Sequence, residues 1–80
     1  MAEGRMPNEV PVTLLGEGDS ARVVRLDQPG SEPTAHLVAL GVLPGVEVLL
    51  LQRYPAFVMR IGHTEFAVDD QLARRIYVGR

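Results

Sequence analysis

Residues 37–48 read Leu-Val-Ala-Leu-Gly-Val-Leu-Pro-Gly-Val-Glu-Val, and this stretch decides the fold because a helix end, a turn and a strand start follow one another in it. Leu37 and Leu40 are three residues apart and therefore lie on one face of a helix. Gly41 follows at the position where a helix end favours a left-handed residue. Val42 is then expected to cover Leu37, in the apolar contact that accompanies a Schellman motif.

A tight turn and a strand come directly after this helix end. Pro44 has a fixed negative φ and Gly45 tolerates a positive one, which is the combination that a type II turn requires. The strand is expected over residues 46–54, with Val48 and Leu50 on the same face. It is the longest predicted strand, so we expect it at the centre of the sheet.

Shorter apolar segments on either side predict the remaining elements. Ser31 is expected to cap the helix, and Asp69 or Asp70 to cap a short turn at residues 71–74. The pattern predicts a mainly β fold, a small SH3-like barrel of five or six strands with one short α-helix. The other strands are predicted at residues 21–26, 57–61, 64–68 and 76–78.

Length and composition are those of one small domain. The chain has 80 residues and no cysteine, so neither a disulfide nor a thiolate metal site can stabilise it. Residues 1–11 mix glycine, proline, asparagine and charge without a period, and we expect a flexible N-terminal arm there. The barrel is expected over residues 12–80.

Charge and hydropathy exclude several classes of protein. Eight basic residues, all arginine, stand against ten acidic ones, for a net charge of −2, which argues against nucleic-acid binding. The apolar run at residues 48–51 is only as long as a strand, so direct membrane insertion is not expected. Because no apolar signal core is present at the amino terminus, we expect a cytoplasmic protein.

The stretch from His36 to Val48 resembles a pattern of the FeoA family, the bacterial ferrous iron transport protein A domains. That pattern reads R-L-x-x-L-G-[LIV]-x-P-G-x-x-[VIL]. Residues 18–23 resemble the entry strand of the family, and residues 62–68 with Ala73, Ile76 and Val78 resemble its ending. The resemblance covers residues 12 to 79.

The resemblance to this family implies an accessory role in ferrous iron uptake. The domain is expected to dock on the cytosolic, GTP-binding part of the membrane iron permease and to adjust its action. The alternative is an SH3-like regulatory domain of a metal-dependent transcriptional repressor, which also needs a helix-turn-helix that residues 1–11 are too short to hold. A polyproline-binding module is disfavoured because only four aromatic residues are scattered along the chain.

Five residues around the helix end are the candidate partner-binding residues. Leu43 lies between Gly41 and the turn, and it is expected either at the surface or in the end of the barrel core. His36 stands where the family more often has arginine, so a titrating group replaces a permanent charge. The candidates are His36, Leu37, Leu40, Val42 and Leu43, with Gly41, Pro44 and Gly45 as structural turn residues.

The densest group of potential metal ligands lies at the other end of the chain. His63, Glu65, Asp69 and Asp70 are weak candidates, because such residues also form turns and cap helices. No tightly bound cofactor is expected, and weak binding of Fe²⁺ or Zn²⁺ stays open. Since no nucleophile elbow, phosphate loop or paired acid frame is found, we do not expect an enzyme. Exposed strand edges of a small open barrel allow a homodimer.

Overall fold

The structure, a computed structural model, describes residues 9–79. It contains six β-strands, two short α-helices and one 3-10 turn over Val12–Leu14. The elements in chain order are β1 (Glu9–Pro11), β2 (Ser20–Leu26), α1 (Glu32–Ala39), β3 (Glu47–Gln52), β4 (Phe57–Ile61), β5 (Thr64–Val68), α2 (Asp70–Ala73) and β6 (Ile76–Gly79).

All six strands form one antiparallel sheet in the order β1-β6-β2-β3-β4-β5. The register shifts in β2 between Val23 and Arg25, and in β3 between Leu50 and Gln52. Such bulges increase the local twist and bend the strand that carries them. The sheet can therefore curve around a single apolar core. The core side chains are Val12, Leu15, Ala21, Val23, Leu26, Leu37, Val42, Val48, Leu50, Phe57, Met59, Val68, Ala73, Ile76 and Val78.

The central position of β3 is confirmed, because it pairs with β2 on one side and β4 on the other. Val48 and Leu50 are buried and Glu47 is exposed, as the alternation predicts. The prediction that β3 is the longest strand is wrong, since β2 has seven residues and β3 has six. A register shift and the end of pairing at Gln52 shorten β3.

The predicted arm over residues 1–11 is wrong at its last three residues, because Glu9–Pro11 forms β1 and pairs with β6. A three-residue strand ending in proline carries no usable alternation, so the sequence pattern misses it. Residues 1–8 of the predicted arm lie outside the described residues.

The predicted cap at Asp69 is confirmed and produces a second short helix, α2, where the sequence predicts a turn. The Asp69 carboxylate accepts a hydrogen bond from the Leu72 backbone N–H at 2.9 Å. One α-helix is therefore too low a count for the described residues, although the mainly β class is unaffected.

Among residues 9–79, no helix is both long enough and apolar enough to span a membrane.

Candidate functional site

The end of α1 has the predicted Schellman geometry. The Val42 N–H donates to the Leu37 carbonyl at 3.0 Å, and the Gly41 N–H donates to the Val38 carbonyl at 2.9 Å. Gly41 has a φ of +97°, and Leu37 and Val42 are both fully buried. The helix end is thus fixed both by hydrogen bonds and by the apolar contact across it.

The turn that follows is tied to the neighbouring strand. The Val46 N–H donates to the Leu43 carbonyl at 3.2 Å and Gly45 has a φ of +97°, which confirms the predicted turn. The Gly45 N–H donates to the Val23 carbonyl at 2.8 Å, and the Arg22 guanidinium donates to the Gly45 carbonyl at 2.7 Å. These bonds on both sides of Gly45 hold Leu43 and Pro44 in a fixed position over β2.

The five predicted partner-binding residues divide into two groups. The prediction is wrong for Leu37 and Val42 as contact residues, because both are fully buried by the core and cannot reach a partner. Leu43 is 44% exposed, so it belongs to the surface and not to the barrel end. His36 is also exposed and Leu40 is half-buried.

An apolar groove of about 500 Å³ lies beside this turn, between α1 and the segment after β2. Val38, which is 43% exposed, and Pro44 form part of its wall. We call Val38, Leu43 and Pro44 the elbow surface. Sequence reasoning missed Val38 because it lies outside the Leu37/Leu40 face. The groove is lined by Arg25, Leu26, Pro29, Gly30, Thr34, Ala35, Val38 and Pro44.

Thr34 fixes the position of α1 against the loop before it. Its hydroxyl donates to the Asp27 carbonyl at 2.6 Å and accepts from the Ser31 hydroxyl at 3.1 Å, and its side chain is almost fully buried. The Ser31 side chain caps the helix, as predicted, by accepting from the Thr34 N–H at 3.4 Å. Sequence reasoning did not single out Thr34. Its place three residues after the cap is the signal that was available.

Arg25 holds the opposite wall of the groove. Its guanidinium is ion-paired with Glu9, and it stacks over the Tyr77 ring at 3.9 Å from the centroid. These contacts join β1, β2 and β6 on the outside of the sheet. The wall is therefore held by three strands.

His36 lies on another side of α1, at a second cavity of about 330 Å³ between α1 and α2. This cavity has charges of both signs, from Glu32, Asp69 and Arg75. Arg75 donates to the Gln28 side chain at 3.0 Å. The structure thus separates His36 from the apolar groove, and the predicted residues do not form one continuous patch.

The four candidate metal ligands do not form a metal site in the described part of the chain. Each carboxylate already has a partner: Glu65 is paired with Arg60 at 3.4 Å, Asp70 is paired with Arg74 at 2.7 Å, and Asp69 caps α2. His63 is exposed in the turn between β4 and β5. Within residues 9–79, no group of three or more histidine, cysteine, aspartate or glutamate side chains is arranged to hold a metal ion. Helix capping and ion pairing engage the three carboxylates, as expected for weak candidates, and weak metal binding by these residues stays a prediction.

Comparison with known proteins gives a domain match and several similar structures. The FeoA domain matches residues 10–80. The crystal structure of an iron uptake regulatory protein (FeoA) is 30% identical, with a TM-score of 0.78 over 88% of this chain and 93% of that one. Zinc-bound FeoA of Stenotrophomonas maltophilia, described as a procaryotic SH3 domain protein, is 25% identical, with a TM-score of 0.74 over 82% of this chain and 85% of that one. No curated protein matches this chain.

A manganese-dependent transcriptional repressor is also similar in structure. Its TM-score is 0.84, but it is 15% identical, and the match covers 94% of this chain and 43% of the repressor. At that identity the likeness shows the fold alone, so the repressor alternative is not favoured. The SH3-like fold predicted from the sequence is confirmed by the comparison with the S. maltophilia protein.

Proposed function

Because this chain belongs to the FeoA family, whose domain spans residues 10–80, we propose that it is an accessory protein of ferrous iron transport that docks on the GTP-binding part of the membrane iron permease. The proposal places the protein in the cytoplasm, on the side where that part of the permease lies. It acts by binding and carries out no chemistry of its own. The related S. maltophilia protein is described as possibly acting as a ferrous iron transport activating factor.

The elbow surface is the docking site in this proposal. The observation that carries it is Leu43, an aliphatic side chain 44% exposed on a turn that is bonded to β2 on both sides of Gly45. A rigid apolar residue loses little conformational entropy on binding, so most of the free energy from its burial contributes to affinity. Val38 and Pro44 extend the same apolar area into the groove.

Binding at this surface adjusts the permease only by differential affinity. A partner that binds two states of a protein equally tightly shifts nothing between them. We therefore expect the affinity of this chain for the GTP-binding part to differ between its nucleotide-free and nucleotide-bound forms. Fe²⁺ is the cargo of the permease in this scheme, and the accessory protein does not need to hold it.

Leu43→Glu tests the docking site. We expect the circular dichroism melt to be unchanged, because the side chain is exposed. We also expect affinity for the permease's soluble GTP-binding region to fall at least about tenfold, since a carboxylate would be buried without a partner. Biolayer interferometry on that region measures the affinity, with and without guanine nucleotide.

Leu14→Glu is the matched control, because it makes the same chemical change at a residue that is 60% exposed on the 3-10 turn. Its affinity should equal that of the original chain. Equal losses in the two variants would show that the elbow surface is not specific. An absence of binding by the unsubstituted chain in every nucleotide state would disprove docking itself.

A further inference from the structure

Among residues 9–79, β5 is an edge strand that pairs on one side only. It pairs with β4 through five consecutive residue pairs without a register shift, from Phe57 with Val68 to Ile61 with Thr64. In the described part of the chain, no backbone hydrogen bond leads from β5 to any other element. The outer side of β5 therefore presents backbone N–H and C=O groups that are not bonded to another strand within residues 9–79.

The hairpin geometry tells which residues carry those free groups. Ile61 and Thr64 flank a two-residue turn and are paired, so Thr64, Phe66 and Val68 direct their backbone groups toward β4. Glu65 and Ala67 then direct their N–H and C=O groups outward, and both residues are exposed. Of the usual protections of an edge, β5 has no proline, lysine or bulge, and Glu65 is its one charged side chain.

We infer that this edge pairs with the same edge of a second copy of the chain, as antiparallel strands related by a two-fold axis at Phe66. Glu65 of each copy then lies opposite Ala67 of the other. Both are hydrogen-bonded pairs, so about four backbone bonds form across the axis. A register centred on Glu65 would place two carboxylates opposite each other, which disfavours that alternative.

Phe66 contributes the apolar part of this interface. It is half-buried and packs against the core from the edge of the sheet. In the inferred register it faces Phe66 of the second copy as a pair without hydrogen bonds, the kind in which side chains lie closest. The two rings can then form an aromatic contact that removes their remaining exposed area from water.

The charges next to the axis are compatible with pairing. Arg60 lies beside Glu65 within each copy, 3.4 Å from its carboxylate, and so reduces the negative charge of the edge without removing it. Because five residues bury much less than the roughly 1,200 Å² of a standard interface, we expect a weak dimer that depends on concentration. This inference does not depend on docking to the permease, since the elbow surface consists of residues on α1 and the turn before β3.

Two substitutions that place opposite charges at position 67 test the register. Ala67→Arg places a guanidinium opposite Glu65 of the second copy, and Ala67→Glu places a second carboxylate there. Across two cross-strand pairs we expect the dissociation constant to fall with arginine and to rise with glutamate, by roughly twofold to thirtyfold each. Sedimentation velocity from about 10 µM to about 1 mM covers the range where such small interfaces associate. The inference would be overturned if the dissociation constant changed in the same direction in both variants or did not change. It would also be overturned if the unsubstituted chain stayed monomeric at the highest concentration.

A disulfide gives a second readout, because the chain has no cysteine of its own. Phe66→Cys places two thiols across the axis, at a Cα separation of about 4.5 Å that a disulfide spans. His63→Cys, three residues along, is the control, since its two copies lie about 20 Å apart in this register. A covalent dimer with Phe66→Cys alone supports the register, and equal cross-linking of both variants contradicts it. If Phe66→Cys does not fold, the Ala67 variants decide the question, because Ala67 is exposed.

Discussion

Gly41 ends α1 with a φ of +97°, and outside its chain neighbours no atom lies within 4 Å of where a Cβ would be. A side chain at this position therefore meets open space, and its cost comes from the backbone. This distinguishes Gly41 from a glycine that is required for close packing.

Replacing Gly41 by valine should lower the free energy of unfolding by about 1–2 kcal/mol, because a β-branched residue resists positive φ. Asparagine, which tolerates the left-handed region, is the matched control and should cost less. Urea unfolding at equilibrium measures both. Equal urea midpoints for the Gly41→Val variant and the unsubstituted chain would contradict the Schellman assignment.

At the scale of single residues, prediction from the sequence succeeds where the constraint is local. The roles of Gly41 and Gly45 follow from backbone geometry that a few neighbours determine. Val38 and Thr34 were missed because the exposure of one and the burial of the other depend on what the helix packs against. Leu37 and Val42 were misjudged as contact residues for the same reason.

The helix α1 is held to the loop after β2 by a hydroxyl. Thr34→Val keeps the shape and the β-branching but removes the hydrogen bond to the Asp27 carbonyl. Because that carbonyl then lacks this buried partner, we expect a loss of about 1–3 kcal/mol in the free energy of unfolding. Ala35→Val, at the next and exposed position, controls for the helix propensity of valine. Comparable losses in both variants, measured by urea unfolding, would show that the hydroxyl is not the cause.

The elements themselves were largely predictable. The bounds of β4 and β5 match the predicted 57–61 and 64–68, because turns and alternation define each strand at both ends. By contrast, β1 depends on pairing with β6 at the far end of the chain, which no local pattern reports. The capped turn α2 was found through Asp69. It is a helix because two consecutive backbone bonds form there, from the Ala73 N–H to the Asp69 carbonyl and from the Arg74 N–H to the Asp70 carbonyl, both at 3.0 Å.

Across the whole molecule, the carboxylates near His63 are dispersed into caps and ion pairs, and this has a measurable consequence. Calorimetry with Fe²⁺ under anaerobic conditions, or with Zn²⁺, should detect no submicromolar site. His63→Ala should leave the heats unchanged, because one imidazole without further ligands binds such ions weakly. A submicromolar site that disappears in the variant would mean that these side chains rearrange to bind metal.

At the scale of the whole molecule, the groove beside the elbow surface forms where several separate segments of the chain meet. Its walls come from β2, the loop that follows, α1 and the turn at Pro44. The sequence predicts each of these elements separately but not the distance between them. The sequence therefore predicted where the elbow lies along the chain, but it did not predict the shape of the elbow surface.

The position of β6 between β1 and β2 governs when the protein can fold during its synthesis. Ile76 and Val78 supply core side chains, and β1 has no other strand to pair with in the described part of the chain. While the ribosome still covers these residues, β2 lacks one neighbour and the core lacks one wall. The nascent chain must therefore wait, with apolar surface uncovered, until residues 76–79 have left the exit tunnel.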